Sequence, residues 1–109
     1  MSRRERHHNV YVVELDPQVR RDRRFAEANP TCSTDLPCFY VGLTGLTPEE
    51  RFARHKAGIQ ASRIVKRHGV RLLPERYENL NPMTYEEAAV MEIALAAALR
   101  AVGHGVWQH

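Results

Sequence analysis

The stretch YVGLTGLTPEERFARH, residues 40–55, places side chains able to do chemistry at short, regular spacing. Its first half alternates as a strand does. Phe39, Val41 and Leu43 share one face, while Tyr40, Gly42 and Thr44 share the other. The first face is expected in a core. The second combines a phenol, a bare backbone and a hydroxyl, and suits close approach of a ligand. In the helix that follows, Arg51 and His55 are four residues apart and therefore on one face. A further candidate is Glu92, which falls inside the apolar stripe Ala88, Met91, Leu95, Leu99 and Val102 of a later helix. A carboxylate there costs free energy unless it is paired, for which Arg51 or Arg71 would serve, or bound to a cation.

The elements that must position these groups can be read along the chain. HNVYVVEL (8–15) has the β-branched and aromatic density of a strand. Asp16 and Pro17 open a polar helix, expected to run to Ala28 before Asn29-Pro30 ends it. A loop to Pro37 precedes the second strand, CFYVGLT (38–44). Thr47, Pro48 and Glu50 form a capping box at the start of a helix that closes at Gly58. A helix over about 60–68 ends at Gly69, and VRLL (70–73) reads as a third strand. ENLNP (78–82) reads as a loop. Thr84 and Glu87 cap a helix running to about Val102 before Gly103. The terminal HGVWQH is long enough for a short added strand. The expected architecture is α+β: a small three-stranded, largely antiparallel sheet flanked by helices, with residues 16–37 inserted between the first two strands.

A chain of 109 residues with 43% hydrophobic content suits one domain with one core. Residues 1–8 form a basic tail with no apolar run behind them, and AAVMEIALAAAL (88–99) is too short to span a bilayer. The expectation is a soluble, cytoplasmic protein without a membrane partner. The net charge is +3, unevenly spread. Arg51, Arg54, Lys56, Arg63, Lys66, Arg67, Arg71 and Arg76 fall in one window whose sole acid is Glu75, which suits a polyanion such as nucleic acid. Cys32 and Cys38 do not make a zinc site without two more ligands; His7 and His8 are candidates that nothing in the sequence brings near, so free thiols are expected.

The order of elements, with these residues in place, resembles the GIY-YIG nuclease superfamily. Asn9-Val10-Tyr11 stands where the family has its first motif, with Asn9 in place of a glycine, and Tyr40-Val41-Gly42 matches the second. Thr44, Arg51, His55, Ala88 and Glu92 fit the family's later positions. The family's asparagine after the glutamate helix has no counterpart beyond Gln108. The resemblance covers residues 9 to about 105.

It implies an endonuclease in which Glu92 holds one Mg²⁺ or Mn²⁺ and Arg51 contacts the scissile phosphate. Tyr11 would be the base or the residue orienting water, partnered by His55 or Tyr40. Gly42 and Thr44 would lie against nucleic acid, DNA rather than RNA. Arg54, Arg63, Lys66, Arg67 and Arg71 would contact phosphates without reading sequence. Specificity would then come from a homodimer or a protein partner, with Ala89, Ala96 and Ala97 available for close helix approach. The competing expectations are a non-catalytic nucleic-acid-binding module on the same fold and a protein-interaction module.

Overall fold

The computed structural model describes residues 5–108; residues 1–4 of the expected basic tail and His109 lie outside the described residues. The centre of the fold is strand β1 (Asn9–Leu15), in which Val10, Tyr11, Val12 and Val13 are all buried. Such an unbroken apolar run belongs to a strand covered on both faces. Strand β2 (Cys38–Thr44) pairs antiparallel with one edge of β1, with Tyr11 opposite Gly42 and Val13 opposite Tyr40. Strand β3 (Gly69–Leu72) pairs antiparallel with the other edge.

A fourth strand, β4 (Gly105–Gln108), joins the free edge of β2 in parallel, giving the order β3-β1-β2-β4. The sheet is therefore four-stranded and mixed: the terminal HGVWQH does add a short strand to the expected three. Four residues beginning with glycine carry too weak a strand signal of their own. What holds β4 is tertiary: β2 on one side and the Asn29 side chain on the other. Asn29 donates through Nδ2 to the Val106 carbonyl at 3.0 Å and accepts the Val106 N–H through Oδ1 at 2.9 Å. A side-chain amide thus stands in for the next strand of the sheet. Asn81 does the same for Val10 in β1, accepting its N–H at 2.9 Å and donating to its carbonyl at 2.8 Å.

Asn29 is buried, so Asn29→Ala would leave the buried Val106 N–H without its partner, while the Val106 carbonyl keeps the Arg100 guanidinium at 2.9 Å. At about 1–3 kcal/mol for an unsatisfied buried group, the expected loss is roughly 2 kcal/mol of folding stability, read as a lower urea midpoint at unchanged slope. A loss below about 0.5 kcal/mol would show that water replaces the amide without cost.

The segment before β2 departs from expectation in its helix. The single run to Ala28 is broken into a 3-10 turn over Pro17–Arg21 and helix α1 (Arg23–Ala28). Asp22 is the cause: its carboxylate accepts the Phe25 N–H and starts a new helix. The same carboxylate pairs with Arg63 at 2.8 Å, which lowers the Asp22 pKa. Val19 and Phe25 are fully buried, so this segment supplies part of the core.

Helix α2 (Pro48–Ala57) opens with the expected capping box and closes at Gly58 in the left-handed conformation. Helix α3 (Arg63–His68) is shorter than expected because Ser62 caps it, leaving residues 58–61 as a loop. Helix α4 (Tyr85–Val102) packs on β4, β2 and β1, and α2 packs on β1 and β3. The buried line of α4 is Ala88, Glu92, Ala96 and Leu99, with Met91 and Leu95 half-buried beside it. The next position on that line is Gly103, so Val102 is turned to the surface at 67% exposure. Of the alanines expected to offer a helix contact, Ala96 is core, Ala89 is half-buried and Ala97 is exposed. Among the described residues no helix is long and apolar enough to cross a membrane.

Candidate active site

The two strands and α2 bring Tyr11, Tyr40, Arg51 and His55 together. Tyr11 comes from the middle of β1, Tyr40 from β2, and Arg51 and His55 from successive turns of α2. The Tyr11 hydroxyl lies 2.8 Å from His55 Nε2, a buried hydrogen bond across 44 residues of sequence. The Tyr40 ring meets the imidazole edge-on with centroids 5.6 Å apart. Gly42 makes room for this arrangement. A Cβ at residue 42 would stand 2.7 Å from the Tyr11 hydroxyl oxygen and 2.8 Å from the Tyr40 ring. Gly42 therefore serves packing of the two phenols, not the approach of a ligand.

The imidazole has a defined tautomer. The Ser62 backbone N–H donates to His55 Nδ1 at 3.0 Å, so that nitrogen must present its lone pair. The ring proton of the neutral form then sits on Nε2 and points at Tyr11. His55 is a donor to the phenol oxygen in this arrangement, and the hydroxyl proton of Tyr11 is directed elsewhere. Burial pushes the Tyr11 pKa well above the usual phenol range; Tyr40 reinforces this and the Arg51 charge opposes it. Burial raises Tyr40 as well, against the influence of Tyr11 and Arg51, and the negative charge of Glu92 adds to the rise. Both phenols are neutral at physiological pH.

Arg51 is anchored by backbone carbonyls, donating to Gln60 at 2.9 Å and to Ile59 at 3.4 Å. Gln60 reaches it by taking a left-handed backbone conformation, φ 47°, unusual for a residue other than glycine. Arg71, the alternative partner expected for Glu92, instead pairs with Glu14 across β3 and β1 at 2.7 Å. Glu92 is 7% exposed on α4, close enough for its charge to act on Tyr40.

Tyr40 and Arg51 line a cleft of about 370 Å³ together with Arg24, Gln60, Arg63 and Trp107. Tyr11, His55 and Glu92 are buried and do not form its walls. Several residues expected to contact nucleic acid have other roles. Thr44 is buried and its hydroxyl accepts the Leu46 N–H in the turn after β2. The alternation of β2 misled here, since both faces of that strand are covered and only Leu43 among its residues is half-buried. Arg71 is held by Glu14, outside the cleft. Arg63 does line the cleft while sharing Asp22. Arg54, Lys66 and Arg67 are exposed in the last turns of α2 and α3.

Sequence reading had no place for Arg24 and Trp107 in the site. The polar insertion concealed the first, and the second depends on where β4 docks. Cys32 and Cys38 are both free thiols, with Cys38 buried under Gly105. His7 and His8 stack on each other. No group of three or more His, Cys, Asp or Glu is arranged for a metal among the described residues. Comparison of the chain with protein-family models, with curated proteins and with solved structures returns no match.

Proposed function

We propose that this protein is a metal-dependent endonuclease of the GIY-YIG type, acting on the phosphodiester backbone of nucleic acid, with DNA the favoured substrate. The observation that carries the reading is the buried Tyr11–His55 hydrogen bond of 2.8 Å beside Tyr40 and Arg51. A phenol positioned by an imidazole next to an anchored guanidinium is more than a core requires. Packing alone is served more cheaply by apolar side chains.

The donor set suits magnesium. Glu92 offers one carboxylate, and Mg²⁺ commonly takes one or two, filling its shell with water and phosphate oxygens. Glu92 would hold the Mg²⁺ or Mn²⁺. When bound, the ion supplies charge neutralisation at the phosphoryl oxygens and a more acidic water. Arg51, held by two carbonyls, presents its remaining N–H groups to the scissile phosphate. Tyr11 orients the attacking water through its hydroxyl, which lies behind the cleft wall against Tyr40 and Arg51. Its raised pKa favours this orienting role over that of a preformed phenolate base. His55 positions Tyr11 through Nε2–H, and Ser62 holds His55. Arg24 and Arg63 steer the backbone into the cleft.

The test is cleavage of labelled single- and double-stranded DNA and RNA with Mg²⁺ or Mn²⁺, with EDTA as control. Metal-dependent cutting of DNA is expected, and binding should weaken steeply as salt rises. Failure to cut any substrate while salt-sensitive binding persists would replace the enzyme with a binding module on the same fold.

A further inference from the structure

We infer that the cleft beside Arg51 receives a single unpaired nucleobase, stacked on Trp107; this rests on the nuclease reading above and narrows its substrate to nucleic acid that is single-stranded or locally unpaired. Trp107 stands opposite Tyr40 in the parallel β4–β2 pair, so both side chains rise from the same face of the sheet. It is half-buried on the edge strand and lines the cleft next to the residue proposed to hold the scissile phosphate.

The chemistry of the walls selects the ligand. Arg24, Arg51 and Arg63, the last shared with Asp22, bring three guanidinium groups to the cleft, and among the described residues no carboxylate lines it. A tryptophan face among arginines binds something that is both planar and anionic. A nucleotide fits, with its base on the indole and its phosphate on Arg51. The volume of about 370 Å³ lies at the small end of ligand sites, the scale of one such unit rather than of a duplex. Polar side chains are available at the base edge. Gln60 lines the cleft, and Gln108 accepts from Arg100 through Oε1, which leaves its Nε2 amide N–H₂ as a donor.

Strandedness follows from geometry. A base inside a duplex is stacked above and below and cannot offer its face to a side chain. A base that reaches Trp107 has left the stack, whether it comes from a single strand or is extruded from a duplex. In a continuous paired duplex the extrusion must be done at the protein's expense, so an unpaired strand is the better ligand.

Trp107 is the one tryptophan of the sequence, so intrinsic fluorescence reports on it directly. The whole protein, in EDTA to prevent cutting, would be titrated with a 15-nucleotide oligothymidylate, an abasic strand of the same length and charge, and the oligothymidylate paired with its complement. The single strand is expected to quench the emission and to bind at least about fivefold more tightly than the abasic strand, the low end of what one stacked base contributes. Trp107→Ala should lower affinity for the thymidylate strand to that for the abasic one, measured by anisotropy, and Trp107→Phe should restore most of it. Equal binding of the thymidylate and abasic strands by the unaltered protein would overturn the inference, whatever the Ala variant does to folding. Equal quenching by the duplex would overturn it too. Because these measurements need no turnover, cleavage without base-dependent binding would remove this inference and spare the nuclease. Base-dependent binding without cleavage of any substrate would do the reverse.

Discussion

Glu92→Gln is expected to abolish metal-dependent cleavage while leaving binding of nucleic acid in place. The substitution keeps the size of the side chain on the buried line of α4 but removes its charge. If Glu92 is the ligand that brings the metal to the phosphate, the loss is that of the metal's charge stabilisation. That contribution is several kcal/mol, and each 1.36 kcal/mol is tenfold, so a fall of about 10³ in rate is expected. Binding, measured by anisotropy in EDTA, should be unchanged or slightly tighter, because one negative charge leaves the neighbourhood of the phosphate. Melting should confirm that the Gln variant folds. Cleavage retained within tenfold of the unaltered protein would show that Glu92 is a structural carboxylate and would take the metal assignment with it.

Tyr11→Phe carries the second large effect. The ring remains to fill the space between Gly42 and Tyr40, so the sheet should be little disturbed. What goes is the hydroxyl that His55 positions. Removing one pre-aligned donor from a transition state costs about 10²–10³ in kcat. The pH profile separates its two candidate roles. Burial raises the Tyr11 pKa, so below pH 10 the phenol keeps its proton. A phenolate base would then make the rate climb about tenfold per pH unit between pH 7 and 9, and Tyr11→Phe would abolish that slope. An orienting phenol predicts parallel profiles for the two proteins, displaced by the same factor throughout. Parallel profiles are the expected result. A slope present in the unaltered protein and absent from the Phe variant would make Tyr11 the base.

The elements were legible where a local signal fixed them. The capping boxes at Thr47 and Thr84 appear at the predicted residues because a threonine and a glutamate three apart satisfy helix N–H groups without outside help. β1 and β2 were legible from β-branched and aromatic density. The proximity of Arg51 and His55 followed from helical pitch alone. By contrast, β4 and the buried faces of β2 depended on distant partners. β4 exists because β2 and the Asn29 amide complete its hydrogen bonds, and no residue within Gly105–Gln108 announces either.

The candidate site divides the same way. The sequence by itself determined which side chains are available, namely two tyrosines, an arginine, a histidine and a helical glutamate, and how Arg51 and His55 share a face. Only the tertiary structure decided their roles. Arg71 has Glu14 as its partner, Gly42 clears space for Tyr11, and Thr44 closes a turn. The Ser62 N–H makes His55 a donor, and Trp107 comes to face Tyr40 across a pairing that joins residues 67 apart in the chain. Helix caps and pitch are decided within a few residues. Tautomer, desolvation and cleft walls are set by whatever the fold brings within about 4 Å, and that is a property of packing.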